Sequence, residues 1–188
     1  YNASVRIRTV LKIAFLLGMA TTIICQLIPS SLGEMFYHRD DLGLYIRLSS
    51  ISAPIFFVSN TMVGILNGLN RQSIILRNSI IVSVTEILSL YFFTAIPSIN
   101  IFSYVITIFI TSTLGLLINL YEIKKHIELN LSIFNIIIFT LMGILIFLLL
   151  NLMNKYLFYN LYFSKNIIII LLTFGIFAYL SKFGIDEY

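Results

Sequence analysis

Glu86 is a carboxylate set in a long apolar stretch, and it is the side chain best placed to do chemistry. An ionisable residue deep in a membrane span is costly to insert and marks a functional site by default. A carboxyl group there can exchange a proton, hold a cation or meet a cationic partner. The alternative is a carboxyl held structurally by Ser or Asn neighbours. Arg77, nine positions earlier, falls on the opposite face of a helix that turns about 100° per residue. It is expected to snorkel to the surface. Arg47 is the second candidate. It can approach Glu86 if its helix packs antiparallel on the next, bind an anionic group such as a phosphate, or snorkel outward.

The elements that must position these groups follow from the spacing of charge. Asp, Glu, Lys and Arg are absent from residues 13–33, 48–70, 87–121, 129–154 and 166–181. A bilayer core about 30 Å thick is crossed by a helix of roughly 20 apolar residues. Backbone groups in lipid must be satisfied within such a helix. The 188-residue chain is 59% hydrophobic and 11% charged, against about 25% charged in soluble domains. The reading is an all-α, polytopic membrane protein. Six transmembrane helices are expected, at about 10–30, 44–68, 75–96, 101–122, 132–153 and 166–182, since each is near the ~20-residue spanning length. Gly33 and Gly43 bracket a loop, and Pro97-Ser98-Ile99-Asn100 splits the long run between the third and fourth helices. The chain begins without Met and reads as part of a longer protein.

Lys and Arg distribution sets an expected orientation. With the N-terminus inside, Arg6, Arg8, Lys12, Arg71, Arg77, Lys124, Lys125 and Lys182 are inside, against Arg39, Arg47, Lys155 and Lys165 outside. Both ends are then cytoplasmic. Tyr37, Tyr45, Tyr104, Tyr121, Tyr156 and Tyr159 fall near the interfaces, a belt that tyrosine must supply in a chain with no Trp.

The first four helices carry small and polar residues at steps of three or four, which share a face. They are Gly18, Thr22 and Gln26; Asn60, Gly64 and Gly68; Ser79, Ser83 and Glu86; and Ser103, Thr107, Thr111, Gly115 and Asn119. Such stripes permit close helix packing or line a polar cavity, and one face can do both at different depths. Residues 64–68 contain a literal GxxxG. The last two helices are mostly Ile, Leu and Phe, as lipid-facing surfaces are. Pro54 removes a backbone hydrogen bond and makes its helix the one expected to bend, a habit of transporters.

Other chemistry is not indicated. His38 and His126 lack further ligands at metal spacing, so no metal or cofactor is expected. Asp40-Asp41 reads as a solvated loop. Cys25 is a packing residue in an apolar run. No phosphate loop or nucleophile elbow occurs, so no enzyme is expected, and the basic residues form no nucleic-acid patch.

Ala53-Pro54 followed by Gly64-Ile65-Leu66-Asn67-Gly68-Leu69-Asn70-Arg71, and a helix opening near Ser73, resembles one known family. It is the polysaccharide flippase branch of the multidrug/oligosaccharidyl-lipid/polysaccharide exporter (MOP) superfamily, and sporulation-type members look most similar. Asn70 stands where that family usually has a second Gly. The resemblance covers residues 5–130. It implies that residues 1–130 are the last four helices of a second transporter lobe, and 131–188 an extra C-terminal helix pair. It also implies a bacterial cytoplasmic membrane, a missing N-terminal lobe of the same polypeptide, and transport of a lipid-linked sugar for cell-wall, polysaccharide or spore cortex formation. Arg47, Asn60, Glu86, Thr107 and Thr111 would then border the substrate cavity, and Pro54, Gly64, Asn67, Gly68 and Arg71 would carry the conformational motif. A multidrug or cation exporter, or a non-transporting scaffold for envelope assembly, are the alternatives.

Overall fold

The computed structural model describes residues 2–127, 133–156 and 164–182, and among these the chain is helical with no strand. The helices are α1 (Asn2–Leu27), α2 (Pro29–Tyr37), α3 (Gly43–Ser50), α4 (Ala53–Gly68), α5 (Gln72–Thr94), α6 (Ser103–Lys124), α7 (Ile133–Tyr156) and α8 (Ser164–Lys182), with a short 3-10 turn at Asn100–Phe102. The protein is membrane-embedded and all-α. α1, α5, α6 and α7 are each long and apolar enough to cross a bilayer, and α3 with α4 makes a fifth crossing if the bent pair is one span. Six crossings were expected. α8 is apolar but shorter over its described residues.

Three further boundaries differ from expectation. The first helix starts at Asn2, because no breaker precedes Pro29, and it ends at Leu27 because that proline opens a new helix. The expected loop between Gly33 and Gly43 is largely helix α2. Pro29 supplies the φ that a first helical position needs. His38 ends the helix in the left-handed region at φ 53°. The expected 44–68 helix bends as Pro54 implies, but as a break at Ile51–Ser52 between α3 and α4, with Pro54 in the first turn of α4.

The α4–α5 connection is a tight cap. Asn70 adopts φ 57°. Its amide donates to Asn67 O at 3.0 Å, and the Arg71 amide donates to Leu66 O at 3.0 Å. This is the pattern of a Schellman motif, whose left-handed position takes Gly or, as here, Asn.

The chain divides into two compact units, Tyr1–Phe15 with Ser52–Asn130, and Leu16–Ile51 with Leu131–Tyr188. The boundary expected at 130 and the interfacial Tyr159 lie outside the described residues. In the first unit α6 packs along both α4 and α5. Its interior is rich in polar side chains: Ser59, Asn78, Ser103, Thr107, Thr111, Ser112, Asn119 and Glu122 are buried beside Met62, Leu66 and Ile123. Much of its outside is apolar, with Leu76, Ile80, Val84, Ile87, Leu88 and Tyr91 exposed along α5. The second unit is built the other way. Leu16, Ala20, Ile23, Ile24, Leu27 and Ile28 of α1 cluster with Ile146 and Leu150 of α7 and Ile169 and Phe177 of α8.

Gly115 lets the first unit close. A Cβ added there would stand 2.8 Å from Ser59 Oγ on α4 and 3.7 Å from Val82 on α5. Gly64 and Gly68 meet nothing within 4 Å. The GxxxG face therefore points away from α6, and the packed face of α4 is Ser59, Met62 and Leu66. Gly115→Leu is expected to cost about 1–3 kcal/mol through overpacking. Gly64→Ala, whose methyl meets nothing within 4 Å, should leave stability unchanged or raise it by up to about 1 kcal/mol. Denaturant unfolding of each variant in detergent micelles checks the contrast.

Candidate functional site

The interruption at Ile51–Ser52 leaves carbonyls without their usual donors. Pro54 has no amide hydrogen, so Ser50 O loses its i+4 partner. The Ile51 amide turns to Leu48 O at 3.4 Å, which frees Arg47 O as well. Side chains take both places. Thr22 Oγ1 donates to Ser50 O at 2.8 Å, sharing its proton with Gly18 O at 3.0 Å. Gln26 Nε2 donates to Arg47 O at 2.9 Å and to Ser50 Oγ at 3.2 Å, and Ser50 Oγ itself donates to Arg47 O at 2.7 Å. The polar face of α1 at Gly18, Thr22 and Gln26 thus serves the end of α3. Broken helices persist in membranes where neighbours re-satisfy the freed backbone in this way.

A second polar centre joins α5 to α6. Arg77 Nη2 donates to Glu122 Oε1 at 2.6 Å, and Arg77 also reaches Asn78 Oδ1 at 3.1 Å. Asn78 Nδ2 donates to Asn119 Oδ1 at 2.9 Å. Lys125 Nζ lies 3.7 Å from Glu122 Oε1. The Glu122 side chain is 7% exposed, whereas Arg77 is 57% exposed. One buried carboxylate is therefore held between two half-hydrated cations. The seam of α6 continues through Thr111, whose hydroxyl bonds to Thr107 O at 2.9 Å. Thr107 Oγ1 is buried and has no hydrogen-bond partner among the described residues.

The residues singled out from sequence fall in different surroundings. Thr107 and Thr111 lie together in the packed face of α6. Glu86 is half-buried on α5 and makes no hydrogen bond or ion pair among the described residues, while Ser79 and Ser83 are exposed. Arg47 is exposed on α3, and it belongs to a different compact unit from Glu86. Asn60, Gly64, Asn67 and Gly68 are exposed along one side of α4, Pro54 is buried in its first turn, and Arg71 is exposed at the α4–α5 cap. Asn78 and Glu122 were missed. Glu122 extends the polar stripe of α6 by three residues beyond Asn119. Asn78 sits one residue from the expected α5 stripe and alone is buried.

Among the loop residues, Arg39 donates to both carboxylate oxygens of Asp41, at 2.9 Å for Nε. That contact holds the Asp41 carboxyl below the usual carboxylate range. Compared with known proteins, the chain matches no family model, no curated protein and no solved structure.

Two outcomes follow for the polar centres. Thr22→Val is expected to cost about 1 kcal/mol by leaving Ser50 O short of a donor. The cost should shrink in a Pro54→Ala background, where an amide is restored, and a double-mutant cycle of unfolding free energies measures the coupling. Arg77→Met should cost about 1–3 kcal/mol, because Glu122 keeps only the longer contact to Lys125. The same unfolding assay reads it.

Proposed function

We propose that the chain is part of a membrane transporter that moves a lipid-linked saccharide precursor across the bacterial cytoplasmic membrane by alternating access. The observation that carries this reading is the broken α3–α4 segment, whose freed carbonyls are held by Thr22, Gln26 and Ser50. Discontinuous helices are a recurrent device of transporters, where irregular backbone lines a substrate path. The polar interior around α6 supports it, since small and polar residues let helices pack closely without a hydrophobic driving force.

The saccharide substrate rests on the resemblance carried by Ala53-Pro54 and residues 64–71. In this reading Arg47 meets the diphosphate or an acidic sugar, because an exposed guanidinium pairs with such oxygens bidentately. Glu86 couples transport to an ion or gates the path. The open side of α4 at Asn60, Gly64, Asn67 and Gly68 meets the missing N-terminal lobe or the cavity. A positively charged end inside and both termini cytoplasmic complete the arrangement.

A second reading is export of amphipathic cations, and Glu86, half-buried and without an ion pair among the described residues, favours it. The two differ in which charge matters. In proteoliposomes holding the full-length protein and a fluorescent lipid-diphosphate saccharide, Arg47→Ala is expected to slow flipping by roughly 10-fold or more, the worth of a charge-assisted hydrogen bond. Glu86→Gln should abolish the dependence on an ion gradient. Flipping that is indifferent to Arg47→Ala but competed by amphipathic cations would replace the saccharide reading with the cation exporter. Transport unchanged in both variants would remove both residues from the mechanism.

A further inference from the structure

Met35, Phe36 and Tyr37 end α2 as three consecutive large side chains with exposures of 69%, 68% and 67%. They cannot turn inward. The other side of α2 is spent, with Pro29 and Gly33 buried and the helix packed on α3. At Gly33 a Cβ would come within 2.5 Å of Arg39 O. α2 has 9 residues, far fewer than the roughly 20 needed to cross a bilayer. It begins two positions after α1 ends at Leu27, and α1 is a membrane crossing by length and apolarity. α2 therefore starts where the chain leaves the hydrocarbon. Past the apolar tip the character changes at once: His38, Arg39, Asp40 and Asp41 are all exposed, and Arg39 and Asp41 neutralise each other.

An apolar tip followed immediately by charge is the profile of a segment lying at the boundary between acyl chains and headgroups. The partner is the bilayer itself, which α1 is long and apolar enough to cross immediately before α2. We propose that α2 is an interfacial anchor, seated in the leaflet that receives the end of α1. Met35 and Phe36 enter the upper acyl chains, the Tyr37 ring sits at headgroup level, as amphipathic rings do, and the Arg39–Asp41 pair stays in water. Seating is hydrophobic rather than electrostatic: Arg39 and Asp41 pair, and exposed Glu34 and Asp40 leave the segment net negative, so anionic headgroups do not draw it in. The proposal does not depend on what is transported.

The chain has no tryptophan, so Phe36→Trp creates a single tryptophan in the full chain that can be excited selectively over the tyrosines. It would be reconstituted in vesicles of phosphatidylcholine and phosphatidylglycerol, with helix content checked by circular dichroism. Emission is expected to be blue-shifted. Lipid brominated near the top of the acyl chain should quench it more than lipid brominated near the chain end, and aqueous acrylamide should quench it weakly. Omitting phosphatidylglycerol should not red-shift the emission or lessen the quenching by brominated lipid, since a net negative segment gains nothing from anionic headgroups. Quenching by acrylamide alone would place the tip in water, and protection from both quenchers would place it against protein, in a second copy or another partner. Either result overturns the anchor. If Phe36→Trp loses helix content, Met35→Trp and Tyr37→Trp read the same depth.

Discussion

Pro54 has no hydrogen to give to Ser50 O, and that missing bond lies in a segment apolar enough for lipid. In water the carbonyl would be solvated at little cost. In hydrocarbon each unsatisfied backbone group costs several kcal/mol. The local structure answers this constraint. α3 stops, the chain tightens at Ile51, and Thr22, Gln26 and Ser50 take over the freed acceptors. The polar residues of α1 are therefore explained without any ligand, as the hydrogen-bonding complement of a broken helix. A gap in backbone bonding at one place sets the side-chain chemistry of a helix far away in sequence.

The same physics orders the first unit. Lipid offers no hydrophobic reward for bringing helices together, so association rests on close approach and on hydrogen bonds. α6 supplies both, with Gly115 admitting Ser59 and Asn119 and Glu122 bonding to α5. Polar groups collect inside while large aliphatic side chains take much of the outside. The second unit shows the other solution, a cluster of Leu, Ile and Phe in which Ser50 and Thr173 are the buried polar residues among those described.

Much of the fold was legible because charge spacing and membrane thickness impose one length scale. The runs free of charge mark out most of α1, α6 and α7, while α5 crosses despite Arg77 and Glu86. The stripe on α6 was legible too, since every residue named on it is buried. The stripe on α4 was misleading for packing. Asn60 and Met62 are two positions apart, about 200° around a helix, so the small residues and the packed residues lie on opposite sides. Composition alone cannot say which side meets a neighbour when Gly115 of the partner helix already provides the close approach. α2 was missed because Gly33 and Gly43 look like loop residues, whereas Gly33 is required by the proximity of Arg39 O. The Arg77–Glu122 pair was hidden by a separation of 45 residues, and long-range pairing leaves no local periodicity. For Arg47 and Glu86, sequence supplies the charge and its depth but not the group that each one meets.

The cap at Asn70 has a consequence for how the protein is made. A turn closed within four residues joins α4 to α5, so the two can enter the membrane during synthesis as one hairpin rather than one after the other. α5 carries Glu86, and on translocon scales an acidic residue at a helix centre disfavours insertion by about 2.5–3.5 kcal/mol. Paired insertion would let the apolar α3–α4 segment share that cost before α6 has emerged from the ribosome. The left-handed asparagine, unremarkable as a turn, thereby links the biogenesis of this segment to its one mid-span carboxylate.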